Sequence, residues 1–140
     1  MYILLPNFEK RGGLIPVMVM ENVFNAPLML AYTDQTCFLE TIKTGEAVYF
    51  STSRNGRWKK GETSGHIQRV RRVLIDCDGD ALIYYVDQTG PACHTNAKSC
   101  FFRTIGGNQT YPQVGQVKPL EIIEVEEVRV GFDLVTQQSL

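Results

Sequence analysis

The sequence predicts a mainly β domain of the α+β class with one or two short helices. Short apolar runs rich in β-branched and aromatic residues recur along the chain, separated by Gly, Pro and Asn turn signals. One segment carries the capping signals of a helix at both ends. With 140 residues, of which 44% are hydrophobic and 21% charged, the chain has the size and composition of a single globular domain.

The N-terminal part of the chain predicts two strands followed by a helix. Leu14–Met20 (LIPVMVM) and Leu28–Tyr32 (LMLAY) predict paired strands that are joined by a turn at residues 25–27. Thr33 is the predicted N-cap of a helix near residues 34–44.

The helix is followed by strands and then by a segment of different composition. Gly45 stands where the helix C-cap belongs, and Cys37 lies on the apolar face, which predicts a core position. A turn is predicted at Asn55-Gly56. Leu120–Val130 (LEIIEVEEVRV) fits either an added strand or a short helix, after a flexible stretch around Gly106-Gly107-Asn108 and Pro112. Three stretches predict further strands: Ala47–Ser51, His66–Ile75 and Ala81–Val86.

Positive charge is concentrated in one segment of a chain whose net charge is -1. Between Arg54 and Arg72 there are seven Lys and Arg residues and one acid, Glu62, so this segment carries +6 and the rest of the chain -7. Such a segment suits a phosphorylated ligand or a nucleic acid. A solvated pair of strands is the alternative interpretation.

The chain lacks a recognisable export or membrane signal. Its start has no charged, apolar and cleavage regions of a signal peptide, and no run of eighteen apolar residues is present. A cytoplasmic protein without a membrane partner is therefore expected. In that compartment the four cysteines stay reduced, which favours metal ligation or burial over disulfide bonds.

The stretch DCDGDAL, residues 76–82, places three aspartates at alternate positions. If it is extended, Asp76, Asp78 and Asp80 share one face and Cys77 points to the other. Carboxylates on one face repel unless a cation lies between them, and oxygen ligands select a hard ion, here Mg²⁺. An EF-hand is a poor match, because its twelfth position, Asp87, follows an apolar strand. A polar turn without metal is the alternative.

Three cysteines, Cys77, Cys93 and Cys100, predict a separate thiolate site. Thiolates prefer Zn²⁺, and three protein ligands with an open fourth position are typical of catalytic zinc. Cys93 and Cys100 converge only in a loop, because seven residues of helix would separate them by about 10 Å. Since Cys77 does not easily serve the site of its aspartate neighbours, a second subunit is one source of the other thiolates. His94, beside this site, is a candidate proton carrier.

Other zinc chemistries fit the sequence less well. Nucleobase deaminases need H-x-E with P-C-x-x-C, and zinc fingers need paired C-x-x-C motifs, neither of which is present.

The segment of residues 51–68 predicts a binding site for a phosphorylated substrate. Hydroxyl and amide groups of residues 63–65 are suited to cradle a phosphate that Arg54 and Lys60 neutralise. Trp58 is suited either to stacking on a base or to a place in the core. The predicted substrate contacts are Arg54, Trp58, Lys60, Thr63, Ser64 and His66.

Three motifs, WKKGETSGHIQRV, DCDGDAL and GPACHT with SCF, occur in this order and resemble the phosphoribosyl-AMP cyclohydrolase family of histidine biosynthesis. The resemblance covers about residues 8–103, including MLAYTD and TGEAVYFSTSR. It implies a strongly curled mixed sheet, or pseudo-barrel, in an intertwined homodimer. We expect a cyclohydrolase domain over residues 1–103. Residues 104–140 would be a C-terminal extension of unknown role, too short for the second, pyrophosphohydrolase domain of some family members.

The resemblance also implies a reaction and its metals. The reaction is hydrolysis of a cyclic amidine C–N bond, N1–C6 of the adenine ring in 1-(5-phosphoribosyl)-AMP, which gives the formimino-carboxamide ribotide. Zinc would activate the attacking water, while Mg²⁺ and the basic segment would hold the two phosphates. The implied ligands are Asp76, Asp78 and Asp80 for Mg²⁺, and Cys93 and Cys100 for Zn²⁺ with Cys77 of the opposite chain.

Two other hypotheses stay open. A metal-stabilised module that binds nucleic acid through residues 54–72 would show salt-sensitive affinity without turnover. An inactive paralogue used as a scaffold is the second, although every implied metal position is intact. We expect a small nucleotide substrate and no nucleic-acid partner.

Overall fold

The computed structural model of the protein describes residues 1–106, 115 and 117–131. Within them the mainly β prediction is confirmed, with a single α-helix and one short 3-10 helix. None of the described helices is long and apolar enough to cross a membrane. In chain order the elements are the 3-10 helix Phe8–Arg11, β1 Ile15–Glu21, β2 Pro27–Thr33, α1 Gln35–Thr44, β3 Val48–Ser51, β4 Gly56–Lys59, β5 Gln68–Ile75 and β6 Leu82–Gln88.

The six strands form one mixed sheet in the order β4-β3-β2-β1-β6-β5. Neighbouring strands are antiparallel except β1 and β6, which run parallel with Val19 opposite Tyr84. The sheet curls on itself, as shown by a bridge between Glu46, just before β3, and Arg69 at the start of β5. The amide of Ala47 also donates to the carbonyl of Gln68 at 2.9 Å. The predicted curled mixed sheet is therefore confirmed as a half-barrel.

Apolar side chains that point into the curl form the core. Alternate residues of β1, namely Ile15, Val17 and Val19, are completely buried, as are Tyr84 and Val86 of β6. This alternation follows from the two-residue period of a strand. Each buried side chain of this kind contributes about 1.5–3 kcal/mol to the free energy of unfolding. The core therefore holds the sheet rigidly behind the loops at its two ends.

Helix α1 begins one residue later than the sequence suggested. Thr33 ends β2, where it pairs with Ile15 and is completely buried. Asp34 is the N-cap instead, and its Oδ1 accepts a hydrogen bond from the amide of Cys37 at 2.8 Å. Both residue types cap helices well, so strand pairing decided between them. The predictions of Gly45 as C-cap and of Cys37 in the core are confirmed.

Strand β4 was not predicted. It pairs with β3 through a hairpin in which Ser51 lies opposite Gly56, and the predicted turn is confirmed by Asn55 at φ +53°. Its residues were interpreted as part of a ligand-binding segment, with a solvated pair of strands as the alternative, because their cations and Trp58 hide the strand pattern. Basic side chains of this segment therefore project from a sheet.

The C-terminal segment lacks regular structure where it is described. Residues 117–131 form neither the strand nor the helix considered for Leu120–Val130. The apolar side chains of residues 120–130 are exposed, Ile122 by 96%, so they lack the burial against the described residues that would stabilise either element. The predicted flexible stretch lies largely in residues 107–114, which fall outside the described residues together with residues 116 and 132–140.

Candidate metal and substrate site

Residues 76–80 form a turn between β5 and β6, so the expectation of an extended stretch is wrong. Gly79 has φ +77°, a conformation that glycine adopts readily. Oδ1 of Asp76 accepts hydrogen bonds from the amides of Asp80 (2.9 Å) and Ala81 (3.2 Å), which closes the turn. The turn still gathers the three carboxylates, because one oxygen each of Asp76, Asp78 and Asp80 lies within 4.8 Å of the others. We call residues 76–80 the aspartate turn.

Two cations that no sequence motif indicated contact the aspartate turn. Nζ of Lys10 lies 2.5 Å from Oδ2 of Asp78 and 3.2 Å from Oδ2 of Asp80. Nε of Arg11 donates to the same Asp80 oxygen at 2.9 Å. Burial acts to raise the pKa of Asp80, but hydrogen bonds, first that from Lys10, outweigh it and hold the pKa well below its usual range. Asp80 therefore stays ionised although it is buried.

Cys93 and Cys100 lie in the loop that follows β6, which we call the thiol loop (residues 90–100). The amide of Cys93 donates to the carbonyl of Ala97 at 3.2 Å, and that of Cys100 donates to Leu28 at the start of β2 at 2.8 Å. Shielding of its thiol and the neighbouring Cys93 raise the pKa of Cys100 to about 12. Oγ1 of Thr95 donates to Sγ of Cys93 at 3.0 Å, a contact that the sequence did not indicate. The loop therefore brings two thiols together.

Cys77 does not join this thiol pair within one chain. Cys77 precedes β6 and Cys93 follows it, and a strand of seven residues spans about 20 Å. Among the described residues, the one group of three or more candidate metal ligands is Asp76, Asp78 and Asp80. Carboxylates and thiols therefore occupy opposite ends of one strand.

Much of the positive charge of residues 54–72 is matched by acids from elsewhere in the chain. Arg72 stacks instead on the ring of Tyr85 at 4.1 Å. Arg54 lies exposed before β4, and no ion pair of the described residues includes it. These ion pairs reduce the net positive charge that the segment presents. The matched pairs are Arg57 with Glu40 at 2.6 Å, Lys59 with Glu46 at 2.6 Å and Arg71 with Asp87 at 2.5 Å.

Trp58 and Lys60 lie against the core rather than on the surface. The ring of Trp58 packs against Tyr49 with centroids 5.9 Å apart. Nζ of Lys60 lies 5.6 Å from the Trp58 ring centroid, and the residue is 8% exposed. Burial lowers the pKa of Lys60, whereas the neighbouring Cys100 and Cys93 act to raise it. The structure thus places the Lys60 ammonium beside the thiol pair.

The loop before β5 approaches the thiol loop through His66. Thr63 and Ser64 are exposed, and Oγ of Ser64 accepts a hydrogen bond from the amide of His66 at 3.2 Å. A Cβ placed on Gly90 would lie 2.6 Å from Cδ2 of His66, so the imidazole packs directly on the start of the thiol loop. His94 is exposed. His66, rather than His94, is therefore the histidine that is held in position.

We expect Cys37 to resist alkylation in the folded protein at pH 8. Burial, followed by the carboxylate of Asp34, raises the pKa of its thiol to about 12, so the reactive thiolate is scarce. Mass spectrometry after an iodoacetamide pulse would show Cys37 unmodified before, and modified after, unfolding in urea. Modification of Cys37 in the folded chain at the rate of a small free thiol would contradict this environment.

Fold and site together define a class of protein: a small curled-sheet domain with candidate hard and soft metal ligands at opposite ends of one strand. Residues 29–102, which include both sets of ligands, match the family model described as phosphoribosyl-AMP cyclohydrolase. The chain belongs to the phosphoribosyl-AMP cyclohydrolase family.

Named relatives agree with this assignment. The chain is 51% identical over 104 residues to a phosphoribosyl-AMP cyclohydrolase of Methanoregula boonei, covering 74% of this chain and 85% of the relative. It is 47% identical over 111 residues to the protein of that name from Methanocorpusculum labreanum, covering 79% and 90%. It is 52% identical over 99 residues to the histidine biosynthesis bifunctional protein HisIE of Deinococcus radiodurans, covering 71% of this chain and 45% of that protein.

Proposed function

We propose that this protein hydrolyses the N1–C6 bond of the adenine ring in 1-(5-phosphoribosyl)-AMP, giving the formimino-carboxamide ribotide in histidine biosynthesis. One observation carries the proposal: the family match over residues 29–102 contains both the aspartate turn and the thiol loop. Family membership supports a hydrolase that acts on a C–N bond of a small nucleotide.

The donor sets of this chain fit the two proposed metals. Asp76, Asp78 and Asp80 offer oxygen ligands within 4.8 Å of one another, which suits Mg²⁺. Cys93 and Cys100 offer neighbouring thiols, which suit Zn²⁺. Zinc bound there would supply Lewis acidity and lower the pKa of a coordinated water towards about 7.

A homodimer would complete the thiol site. Because β6, a strand about 20 Å long, lies between Cys77 and Cys93 in the chain, we propose that Cys77 serves the thiol pair of a partner copy. An apolar groove on the outward face of the sheet supports the proposed dimer, because the groove extends to Asp76, the residue before Cys77. Burying such a face against a second copy would bring Cys77 into the interface. The groove is lined largely by Pro16, Met18, Leu30, Leu74 and Ile83.

The chain's own residues would bind and orient the substrate. The exposed Arg54 is suited to neutralise a phosphate, and Thr63 and Ser64 present hydroxyls on the loop before β5. His66, packed on the thiol loop, is suited to hold or move a proton at its imidazole, and His94 is the second candidate. Lys60, beside the thiols, would compensate the negative charge that accumulates when they ionise. Trp58 would support Lys60 from the core side.

The remaining sequence expectations stay predictions. The relatives cited above match 71–79% of this chain, which supports a cyclohydrolase domain over residues 1–103 and an extension over residues 104–140. A cytoplasmic location likewise stays a prediction.

Purified protein should change the ultraviolet absorbance of phosphoribosyl-AMP as the purine ring opens. Cys93→Ala should lose this turnover together with about one zinc per subunit, because a thiolate ligand is removed. Metal analysis and the absorbance assay on the same sample measure both effects. Cys37→Ala is the matched control: this cysteine is buried in the core, where its Sγ donates to the carbonyl of Tyr49, so zinc and turnover should remain.

Two results would contradict the proposed function. Full turnover in a zinc-free Cys93→Ala protein would exclude the thiolate metal site. Salt-sensitive binding of RNA or DNA through residues 54–72, without turnover of phosphoribosyl-AMP, would favour the binding-module hypothesis.

A further inference from the structure

We propose that Lys10 is the built-in counter-ion of the aspartate turn and competes with the divalent cation for Asp78 and Asp80. The inference rests on the proposed function in one respect, namely that the turn binds Mg²⁺. It adds a residue outside the segment that matches the family model, which begins at residue 29. Lys10 would thereby set the Mg²⁺ affinity of the site.

The position of the ammonium carries the inference. Nζ of Lys10 contacts Oδ2 of both Asp78 (2.5 Å) and Asp80 (3.2 Å), so it bridges two carboxylates as a metal ion would. Mg²⁺ held by these carboxylates would occupy the same space between them. An ammonium and a dication cannot share that space, because both sterics and like-charge repulsion oppose it. Binding of Mg²⁺ between these oxygens therefore requires Lys10 to leave.

The charges around the turn explain why the competitor is needed. Asp80 is 2% exposed, and a buried carboxylate without a cation is unfavourable. Lys10 and Arg11 supply two positive charges against the three carboxylates of the turn. The turn is thus nearly neutral without metal, and Asp80 keeps an ion pair with Arg11 when Lys10 moves away. The lysine is the more readily displaced cation, since its flexible stem carries a single charged group.

The backbone lets Lys10 move without undocking its segment. The amide of Asn7 donates to the carbonyl of Gly79 at 2.7 Å, which fixes the start of the 3-10 helix on the turn independently of any side chain. The side chain of Lys10 is 42% exposed, so solvent lies next to its bound position. Exchange of the ammonium for Mg²⁺ therefore needs only side-chain rotation.

The test compares Mg²⁺ binding to metal-free wild type, Lys10→Met, Lys43→Met and Asp78→Asn by isothermal titration calorimetry at fixed ionic strength. Lys10→Met should bind Mg²⁺ about three- to tenfold more tightly, because the competitor is gone. Lys43 is exposed at the end of α1, so Lys43→Met changes the net charge equally and should stay within about twofold of wild type. Asp78→Asn should weaken binding and so locate the ion.

A second measurement uses the wild type alone, which keeps the inference testable if a variant folds poorly. Saturating Mg²⁺ should accelerate acetylation of Lys10 by an amine-reactive ester and leave Lys43 unchanged. Equal or weaker Mg²⁺ binding by Lys10→Met, or unchanged Lys10 labelling, would overturn the competition while leaving the metal site intact. If wild type shows no Mg²⁺ binding by calorimetry and Asp78→Asn does not differ from it, the magnesium assignment fails. The proposed competition with Lys10 then fails with it.

Discussion

An equimolar mixture of Cys77→Ala and Cys93→Ala subunits should recover about a quarter of wild-type turnover, although each variant alone should have almost none. The reason is geometric. Cys77 precedes β6 and Cys93 follows it, and the strand between them spans about 20 Å, so we expect a site that uses both to draw them from two chains. Random exchange makes half of the dimers mixed. In a mixed dimer one site lacks both cysteines and the other keeps all three.

Unfolding and refolding the two variants together before the absorbance assay would measure this recovery. A matched mixture of Cys93→Ala with Cys100→Ala should show no recovery. Both residues belong to the same thiol loop, so every site in that mixed dimer lacks one ligand. Absence of recovery in the Cys77 mixture, with each homodimer correctly folded, would contradict a shared site and place Cys77 outside the catalytic metal centre.

Gly61→Ala should lower the free energy of unfolding by about 2–4 kcal/mol. Gly61 has φ +80°, and a Cβ there would lie 2.4 Å from the carbonyl carbon of His66 and 2.5 Å from the amide nitrogen of Ile67. These are backbone atoms, which cannot rotate away as a side-chain end would. The loop before β5 must therefore shift, and His66 with it, so turnover should fall together with stability. Urea unfolding followed by fluorescence would measure the change in stability.

Gly65→Ala is the control for this substitution, because it lies in the same loop. Gly65 has a similar φ of +79° but no atom within 4 Å of an added Cβ. Only the left-handed backbone conformation opposes alanine there, which costs about 1–2 kcal/mol. If Gly61→Ala is no more destabilising than Gly65→Ala, the close approach of residues 61 and 66 is not a constraint on the folded state.

The strands and the helix were largely predictable because their signals are local. The apolar run of β1 and the Gly45 cap act within a few residues, and the structure confirms both. The N-cap was assigned to Thr33 instead of Asp34, since local sequence does not reveal that pairing with Ile15 extends β2 to Thr33. β4 was not predicted as a strand. It lies at the edge of the sheet, where polar and cationic side chains replace the apolar pattern of a buried strand.

The candidate site was likewise predictable where the signal is local and not where it depends on the backbone fold. Candidate carboxylate and thiol ligands could be proposed one residue at a time, because the metal preference of each group is intrinsic to its chemistry. Asp76, Asp78 and Asp80 do converge, although through a turn closed by Asp76 and Gly79 rather than along an extended strand. The same aspartates were thus found for a reason that the backbone does not support.

By itself, the sequence determined the class of fold, the family resemblance and the candidate types of metal ligand, since all of these depend on residue chemistry and short-range pattern. The tertiary structure alone decided that Lys10 and Arg11 neutralise an acidic turn some 68 positions away, and that Lys60 lies beside the thiols. It also decided that β6 holds Cys77 and Cys93 apart. The physical reason is that strand order and the curl of the sheet set which distant residues meet, and no local pattern encodes those distances.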